Sequence, residues 1–213
     1  MIQSVLVSKM AELPCLYSIL DTAPSRTTAE LVAYAEELVA AGCTLLQYRN
    51  KSGNARVILD QARELKKYLG DSVRLIINDR ADLCLAAEFD GVHVGQEDLS
   101  PEAVRRIIGP ERWLGVSTHN LEQVREADLT SADYLAIGPV FATSSKDKPD
   151  PVVGLEGVRQ ARRLTQKPLV AIGGITRANA ASVIEAGADS VAVISDLLRE
   201  PRKSAEEFFR VLR

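Results

Sequence analysis

The sequence predicts an α/β fold: a single closed (β/α)8, or TIM, barrel with eight parallel strands. Three observations support this prediction. Short apolar runs alternate with longer segments of helical spacing along the whole chain, eight strand-then-helix units can be counted, and no Pro/Gly/Ser-rich linker separates them. A length of 213 residues is slightly below the usual size of such a barrel.

The strands are predicted from short apolar or β-branched runs, which are typical of strands buried on both faces. They are Leu16–Leu20, Leu45–Tyr48, Arg74–Ile77, Gly91–Val94, Trp113–Val116, Tyr134–Ile137, Leu169–Ile172 and Ser190–Val193.

The helix boundaries are predicted from capping residues. Thr27 and Glu30 form a capping box, and Gly42 ends the helix that they open. A second helix runs from Asn54 to Leu69 and ends at Gly70. Further starts are predicted at Ser100–Pro101, at Asn120 with Gln123, at Thr176 in a helix that stops at Gly187, and at Ser204 with Glu207.

An open doubly wound sheet is the alternative fold. It would usually place a glycine-rich dinucleotide-binding turn after an early strand. The sequence has no such turn, and its one Gly-Gly pair, Gly173–Gly174, comes late. The barrel is therefore favoured, as one domain over residues 1–213 in which residues 1–14 form an N-terminal extension.

The composition excludes several classes of function. The chain has 26 Lys and Arg against 29 Asp and Glu, and the basic residues are scattered, so it offers no patch for nucleic acid or an anionic membrane. Cys15, Cys43 and Cys84 show no Cys-x-x-Cys spacing, which argues against a disulfide framework or a zinc site. Neither a signal peptide nor an apolar run of about 18 residues is present. We expect a soluble cytoplasmic protein.

The candidate site residues are selected by position, because active sites of (β/α)8 barrels lie at the carboxyl ends of the strands. Arg49 and Lys51 follow the second strand, and Lys146 lies in the long segment Phe141–Val153, which is predicted to be a mobile lid. The same rim carries the hydroxyls of Ser117, Thr143 and Ser145. Such a set suits a multiply charged phosphorylated ligand, although any single rim cation can equally be a solvated side chain.

Two carboxylates follow adjacent strands. Asp79 comes after the third strand and Asp98 after the fourth, so they can converge on one cation. Two carboxylates with waters and substrate oxygens are a common ligand set for Mg²⁺, and no cluster of His, Glu and Cys offers a transition-metal site. Either aspartate alone could instead cap the helix that follows it.

A second anion site is predicted after the last two strands. Gly173–Gly174 and Ile194–Ser195 stand where barrels hold a ligand phosphate on backbone N–H groups at a helix start. The glycine pair could also serve only a tight turn.

The two histidines differ in their predicted surroundings. His93 alternates with Val92 and Val94 and so faces the barrel interior, whereas His119 lies in a loop. A strand histidine can also be no more than a hydrogen-bonded core residue. Neither has an obvious Ser or Cys partner, so nucleophilic triad chemistry is not predicted.

Taken together, these residues resemble the thiamine phosphate synthase family over about Leu16 to Leu197. The resemblance depends on the order of short motifs after successive strands. They are Gln47-x-Arg49-x-Lys51, Asn78-Asp79, the stretch from Gly91 to Asp98, Gly115-Val116-Ser117, Gly138-Pro139-Val140-Phe141 with Thr143 and Lys146, Ile172-Gly173-Gly174-Ile175, and Ile194-Ser195.

The resemblance implies a Mg²⁺-dependent transferase. It would join 4-amino-2-methyl-5-hydroxymethylpyrimidine diphosphate to 4-methyl-5-(2-phosphoethyl)thiazole, giving thiamine phosphate and diphosphate. These small molecules would be its partners, and a homo-oligomer is compatible with the family. The lid differs from the family's usual residues at Ala142 and Ser145.

The resemblance also assigns four groups of residues. The diphosphate would contact Arg49, Lys51, Asn78, Ser117 and Lys146. The pyrimidine would contact Gln47 and His93. The thiazole phosphate would contact Thr143, Ser145, Gly174, Ile194 and Ser195. The Mg²⁺ ligands would be Asp79 and Asp98.

Two other functions stay open from the sequence. A thiazole tautomerase-like isomerase of the same fold has no diphosphate to ionise and should not need five residues that are intact here: Arg49, Lys51, Asp79, Asp98 and Lys146. A non-catalytic phosphate-binding barrel would have no use for a Mg²⁺ site. Metal-dependent diphosphate release separates it from the synthase.

Overall fold

The computed structural model describes residues 13–22, 27–143 and 150–212. Its eight strands pair in parallel in chain order, and the last pairs with the first, so the sheet closes into the predicted barrel. The strands are β1 Leu16–Asp21, β2 Leu45–Arg49, β3 Arg74–Asn78, β4 Gly91–Val94, β5 Trp113–Thr118, β6 Tyr134–Ile137, β7 Leu169–Ile172 and β8 Ser190–Val193.

Four strands extend beyond their predicted ends, by one residue in β1, β2 and β3 and by two in β5. The added residues are polar, which ends an apolar run in the sequence but does not interrupt backbone pairing. Asp21 is in register with Arg49, and Asn78 with His93. Several residues predicted to lie in loops are therefore held by the sheet itself.

A helix follows each strand. The helices are α1 Thr28–Ala40, α2 Ala55–Leu69, α3 Ala81–Ala86, α4 Pro101–Ile108, α5 Leu121–Asp128, α6 Gly154–Leu164, α7 Ala180–Glu185 and α8 Pro201–Val211. Within the described residues, none of these helices is both long and apolar enough to cross a membrane.

The first four predicted N-caps are confirmed. The Thr27 hydroxyl accepts from the Glu30 N–H at 3.3 Å while the Glu30 carboxylate accepts from the Thr27 N–H at 2.8 Å, which completes the capping box. The side chains of Asn54, Ser100 and Asn120 likewise accept backbone N–H groups of α2, α4 and α5.

The predicted start of α7 at Thr176 is wrong. The helix begins at Ala180, because residues 177–179 form a preceding turn. Asn179 closes that turn: its side-chain oxygen accepts from the Thr176 N–H at 2.8 Å.

The predicted start of α8 at Ser204 is also wrong. The helix begins one turn earlier at Pro201, whose missing N–H and preset φ suit a first helical position. Ser204 therefore lies buried within the helix. Glu207 forms an ion pair with Arg177 and does not cap the helix N-terminus.

Two hydrophobic cores stabilise the barrel. Outward-facing strand residues pack under the helices, and the inward-facing residues fill the barrel. The interior cluster comprises Tyr17, Ile19, Leu45, Ile76, Tyr134, Ala136, Val170 and Ala192. Because side chains alternate along a strand, the next inward residues toward the carboxyl ends open into the barrel mouth.

A repeated polar contact ties the opposite, amino end of the barrel. An aspartate precedes three even-numbered strands and accepts a backbone N–H from the neighbouring strand at 2.7–2.8 Å. These aspartates are Asp90, Asp133 and Asp189, and the donors are Leu75, Leu114 and Leu169. Each carboxylate also faces a cation from a preceding helix: Lys66, Arg105 or Arg162. Because this end of the barrel is remote from the mouth, we infer that these contacts stabilise the fold and have no direct role at the site.

Candidate active site

A cavity of about 440 Å³ opens at the carboxyl ends of the strands. Its lining combines barrel-interior side chains with the loops after β5 to β8. It includes nine of the residues predicted from the sequence: Gln47, Arg49, Asn78, His93, Ser117, Thr143, Gly174, Ile194 and Ser195. The structure thus brings both predicted anion-binding groups to one cavity.

Three further candidates lie beside this cavity. The Lys51 ammonium contacts the Asp79 carboxylate at 2.5 Å, and the Asp98 carboxylate accepts from the Gly95 N–H at 2.7 Å. Asp79 has φ 63°, in the left-handed region that few residues other than Gly, Asn and Asp adopt. Lys146 and Ser145 lie outside the described residues, as does the rest of the central part of the predicted lid, residues 144–149.

The two aspartates repel each other. Burial raises the pKa of Asp98, and the neighbouring Asp79 carboxylate adds to the rise, against the opposing effects of the Gly95 N–H and Lys51. A divalent cation between the two would remove this repulsion, and Mg²⁺ commonly binds one or two carboxylates together with substrate phosphates. The described residues contain no group of three or more His, Cys, Asp or Glu side chains around a common point. Two carboxylates are the share of a Mg²⁺ ligand set that a protein commonly supplies when substrate oxygens and water complete it.

Arg49 is held at the end of β2 by a residue that the sequence prediction missed. Its Nη1 donates to both carboxylate oxygens of Asp21, at the end of β1, at 2.8 Å. Parallel pairing places the two residues in register, although 28 residues separate them in the chain. The guanidinium is thereby oriented at the cavity wall.

His93 forms part of the cavity floor. Its Nε2 lies 2.8 Å from the Ser117 hydroxyl, and its Nδ1 lies 3.1 Å from the Tyr134 hydroxyl. Burial lowers the pKa of His93 to about 4. The ring is therefore neutral at physiological pH and does not act there as a cation.

We expect His93 to make the protein acid-sensitive. The pKa of His93 is lower in the folded chain than in the unfolded chain. As the pH falls, the unfolded chain therefore binds a proton at His93 near pH 6.5, whereas the folded chain binds it only near pH 4. Stability from this group is complete above about pH 6.5 and is lost as the pH falls, by on the order of 3 kcal/mol. Wild type and His93→Gln are compared by urea unfolding at pH 7.5, 6, 5 and 4. As the pH falls, the free energy of unfolding of wild type should decrease relative to that of the variant. A constant difference would contradict the buried neutral ring.

The glycine pair after β7 has a packing role. Gly173 and Gly174 have φ of 98° and 64°, and a Cβ on Gly174 would lie 2.5 Å from the Ala142 carbonyl oxygen and 2.8 Å from Phe141 Cβ. A side chain at Gly174 would therefore displace the segment that leads to Thr143. Contact with a phosphate is not needed to explain the glycines.

Ser195 begins a single 3₁₀ turn, Ser195–Leu197, rather than an α-helix. Arg177, which the sequence prediction missed, holds this turn. Its backbone N–H and Nε donate to one oxygen of Asp196 at 2.9 and 3.0 Å, and its Nη2 donates to the other at 3.1 Å. The guanidinium also pairs with Glu207 of α8, and these two carboxylates raise the pKa of Arg177. The turn is thus held between α8 and the segment that precedes α7.

Two other residues at the cavity, Tyr17 and His119, were not among the predicted site residues. Tyr17 lines the floor, while His119 lies at the wall, where its Nδ1 is 2.7 Å from the Gly138 carbonyl oxygen and 3.5 Å from the Asp150 carboxylate. Inward alternation along β1 could have identified Tyr17. The contacts of His119 join loops that are distant in the sequence, and no local pattern indicates them.

Fold and site together define a (β/α)8-barrel protein whose mouth is lined by Arg49 and by the hydroxyls of Ser117 and Ser195, with a carboxylate pair beside it. Residues 16–197 match the family model described as thiamine monophosphate synthase. The chain therefore belongs to the thiamine monophosphate synthase family, as the sequence motifs indicated.

Individual relatives agree. The chain is 61% identical over 204 residues to the thiamine-phosphate synthase of Koribacter versatilis, covering 94% of this chain and 97% of the relative. It is 44% identical to that of Chloroflexus aurantiacus, covering 84% and 83%. A solved thiamine phosphate pyrophosphorylase from Pyrococcus furiosus superposes with a TM-score of 0.81 at 31% identity, covering 93% of this chain and 95% of that one.

Proposed function

We propose that this protein is a thiamine phosphate synthase, a Mg²⁺-dependent transferase that joins the pyrimidine diphosphate to the thiazole phosphate named above. The observation that supports the proposal is one cavity with candidate anion-binding residues at two separate ends. Arg49, Asn78 and the neighbouring Lys51 lie at β2 and β3, whereas Gly174 and Ser195 follow β7 and β8 on the opposite arc. Such an arrangement suits two phosphorylated substrates that must meet.

The leaving group is the chemical difficulty in this reaction. The bond between the pyrimidine methylene carbon and the diphosphate oxygen breaks, the electron pair leaves with the diphosphate, and the ring amino group donates electron density to the carbon. Arg49, Lys51 and the Ser117 hydroxyl would stabilise the charge that develops on the departing oxygens. Asp79 and Asp98 would hold Mg²⁺, which when bound adds positive charge at the diphosphate.

The second step forms the new bond. The thiazole nitrogen attacks the methylene carbon with its own lone pair, so no protein base and no covalent enzyme intermediate is required. The neutral His93, hydrogen-bonded at both ring nitrogens, fits a positioning role at the floor. Holding the thiazole phosphate near Ser195 would direct the nitrogen toward the pyrimidine.

The direct test is incubation of both substrates with Mg²⁺, followed by chromatography for thiamine phosphate and diphosphate. We expect both products in equal amounts, and none when either substrate or Mg²⁺ is left out. Isomerisation of the thiazole in the absence of the pyrimidine diphosphate, with no thiamine phosphate formed, would replace the synthase proposal with the tautomerase.

Arg177→Met should weaken the thiazole-phosphate end alone. Loss of the clamp on Asp196 releases the Ser195 turn, and we expect the KM for the thiazole phosphate to rise about tenfold, the equivalent of about 1.4 kcal/mol. The KM for the pyrimidine diphosphate should stay within about twofold. Arg159→Met, which removes an exposed arginine of α6, is the matched control. An equal rise in the KM values of both substrates would refute the division of the cavity into two ends.

A further inference from the structure

Five side chains form a continuous hydrogen-bonded chain through the barrel interior, ending at the cavity. Gln47 Nε2 donates to the Tyr17 hydroxyl at 2.9 Å, and that hydroxyl lies 3.0 Å from the Tyr134 hydroxyl. Tyr134 contacts His93 Nδ1 at 3.1 Å, and His93 Nε2 contacts the Ser117 hydroxyl at 2.8 Å. The first four residues are at most 7% exposed, so these contacts are shielded from water.

A glycine makes the central contact possible. Gly115 of β5 is in register with His93 of β4 on one side and with Tyr134 of β6 on the other. A Cβ on Gly115 would lie 2.1 Å from Tyr134 Cζ and 2.3 Å from His93 Nδ1. The two side chains therefore meet across β5 in the space that a side chain at position 115 would occupy.

The chain of hydrogen bonds has a direction. Tyr17 accepts a hydrogen bond from Gln47, so its own hydroxyl donates to the Tyr134 oxygen, and the Tyr134 hydroxyl donates to His93 Nδ1. His93 then carries its proton on Nε2 and donates it to the Ser117 oxygen. In the opposite direction the Tyr17 hydroxyl would accept two hydrogen bonds. Within the part of the chain that the structure describes, it would then have no acceptor for its own O–H group.

We infer that Tyr134 is a positioning residue: by donating to His93 Nδ1 it selects the Nε2–H tautomer, and His93 in turn leaves the Ser117 hydroxyl as a donor directed into the cavity. Ser117 would then donate to the departing diphosphate. This last step rests on the proposed function, whereas the tautomer follows from the interior contacts alone. Neither tyrosine belongs to the motifs by which the family is recognised in the sequence.

A buried neutral histidine depends on its partners for its tautomer, because either ring nitrogen can carry the proton. Phenylalanine at position 134 would keep the ring that packs 6.0 Å from Tyr17 and 5.5 Å from His93, and would remove only the donor. His93 could then reverse, with Ser117 donating to Nε2. The Ser117 proton would no longer be available to a ligand.

Nitrogen-15 NMR of histidine-labelled protein tests the tautomer directly and without substrate. The chain has two histidines, so His119→Gln assigns the signals of His93. We expect wild-type His93 to carry its proton on Nε2, and Tyr134→Phe to show a mixture or the Nδ1–H form. A wild-type Nδ1–H form, or an unchanged Nε2–H form in Tyr134→Phe, would overturn the inference.

Kinetics test the consequence for Ser117. Tyr134→Phe should lower kcat by about ten- to a hundredfold, less than full loss of a transition-state donor, with the pyrimidine-diphosphate KM changed less than about threefold. In a Ser117→Ala background the same substitution should lower kcat no further, since it acts through Ser117. An additive loss in the double variant would overturn the route through Ser117.

Tyr48→Phe is the matched control for losing a buried tyrosine hydroxyl. Its hydroxyl donates to Gln61 at 2.6 Å on the helix side of the barrel, outside the interior chain. We expect the His93 tautomer and kcat to be unchanged in this variant, although its stability falls. If wild type forms no thiamine phosphate, the proposed function fails, and the NMR result still decides the role of Tyr134.

Discussion

Asp79→Asn and Asp98→Asn are each expected to lower kcat about a hundred- to a thousandfold while the barrel stays folded. Each removes one of the two carboxylates that would hold Mg²⁺, and loss of that charge leaves the departing diphosphate poorly stabilised. Raising the Mg²⁺ concentration should recover part of the activity, because the remaining carboxylate and the substrate still bind the ion. Measuring turnover as a function of Mg²⁺ concentration gives both the loss of kcat and its recovery.

Asparagine is the appropriate replacement at these positions. At φ 63° asparagine is tolerated well, whereas alanine at position 79 would add backbone strain unrelated to metal binding. Because burial and Asp79 raise the pKa of Asp98, its charge opposes folding above the ordinary aspartate pKa. Asp98→Asn should therefore be at least as stable as wild type at neutral pH without Mg²⁺, and this advantage should vanish in acid.

Asp82→Asn is the control for a nearby carboxylate. Asp82 lies in the first turn of α3 and pairs with Arg80, at an exposed position. We expect its kcat and its Mg²⁺ dependence to match wild type. Full activity of Asp79→Asn and Asp98→Asn at ordinary Mg²⁺ concentration would refute the metal assignment.

Arg105→Met is expected to have the largest effect on stability, lowering the free energy of unfolding by about 2 kcal/mol, because it removes four charge-assisted hydrogen bonds of a half-buried side chain. Arg105 donates to the Gly109, Arg112 and Ser131 carbonyl oxygens and to the Asp133 carboxylate at 2.7–2.9 Å. Its loss leaves these acceptors without their cation. The contacts lie at the amino end of the barrel, so kcat should be unchanged.

Arg106→Met provides the comparison on the same helix. Arg106 is exposed, and we expect its free energy of unfolding to stay within about 0.5 kcal/mol of wild type. Chemical denaturation of the three proteins, with kcat measured on the folded fraction, separates the two ends of the barrel. A large loss of kcat in Arg105→Met at full folding would show that the two ends are coupled.

The order of elements was predictable from the sequence because its signals are local. Each strand is a short apolar run, and Thr27, Asn54, Ser100 and Asn120 cap helices through N–H groups two or three residues away. The capping pattern failed at Ser204, where Pro201 supplies an earlier start and tertiary pairing with Arg177 occupies Glu207.

The positions of candidate site residues were also largely predictable. In a parallel barrel every residue that follows a strand arrives at the same mouth, so position in the chain determines which end a side chain occupies. Gln47, Arg49, Asn78, His93 and Ser117 meet at the cavity for this reason. Their roles toward substrate and metal stay predictions until the variants are measured.

The sequence by itself determined the fold class, the strand order and nine of the side chains that line the mouth, because periodicity and capping act over a few residues. Only the tertiary structure decided how those side chains are held. Arg49 meets Asp21, Tyr134 meets His93 and Arg177 meets Asp196 across 28, 41 and 19 residues of sequence. Such contacts depend on strand register and on space left by residues such as Gly115, which is decided only when the barrel closes.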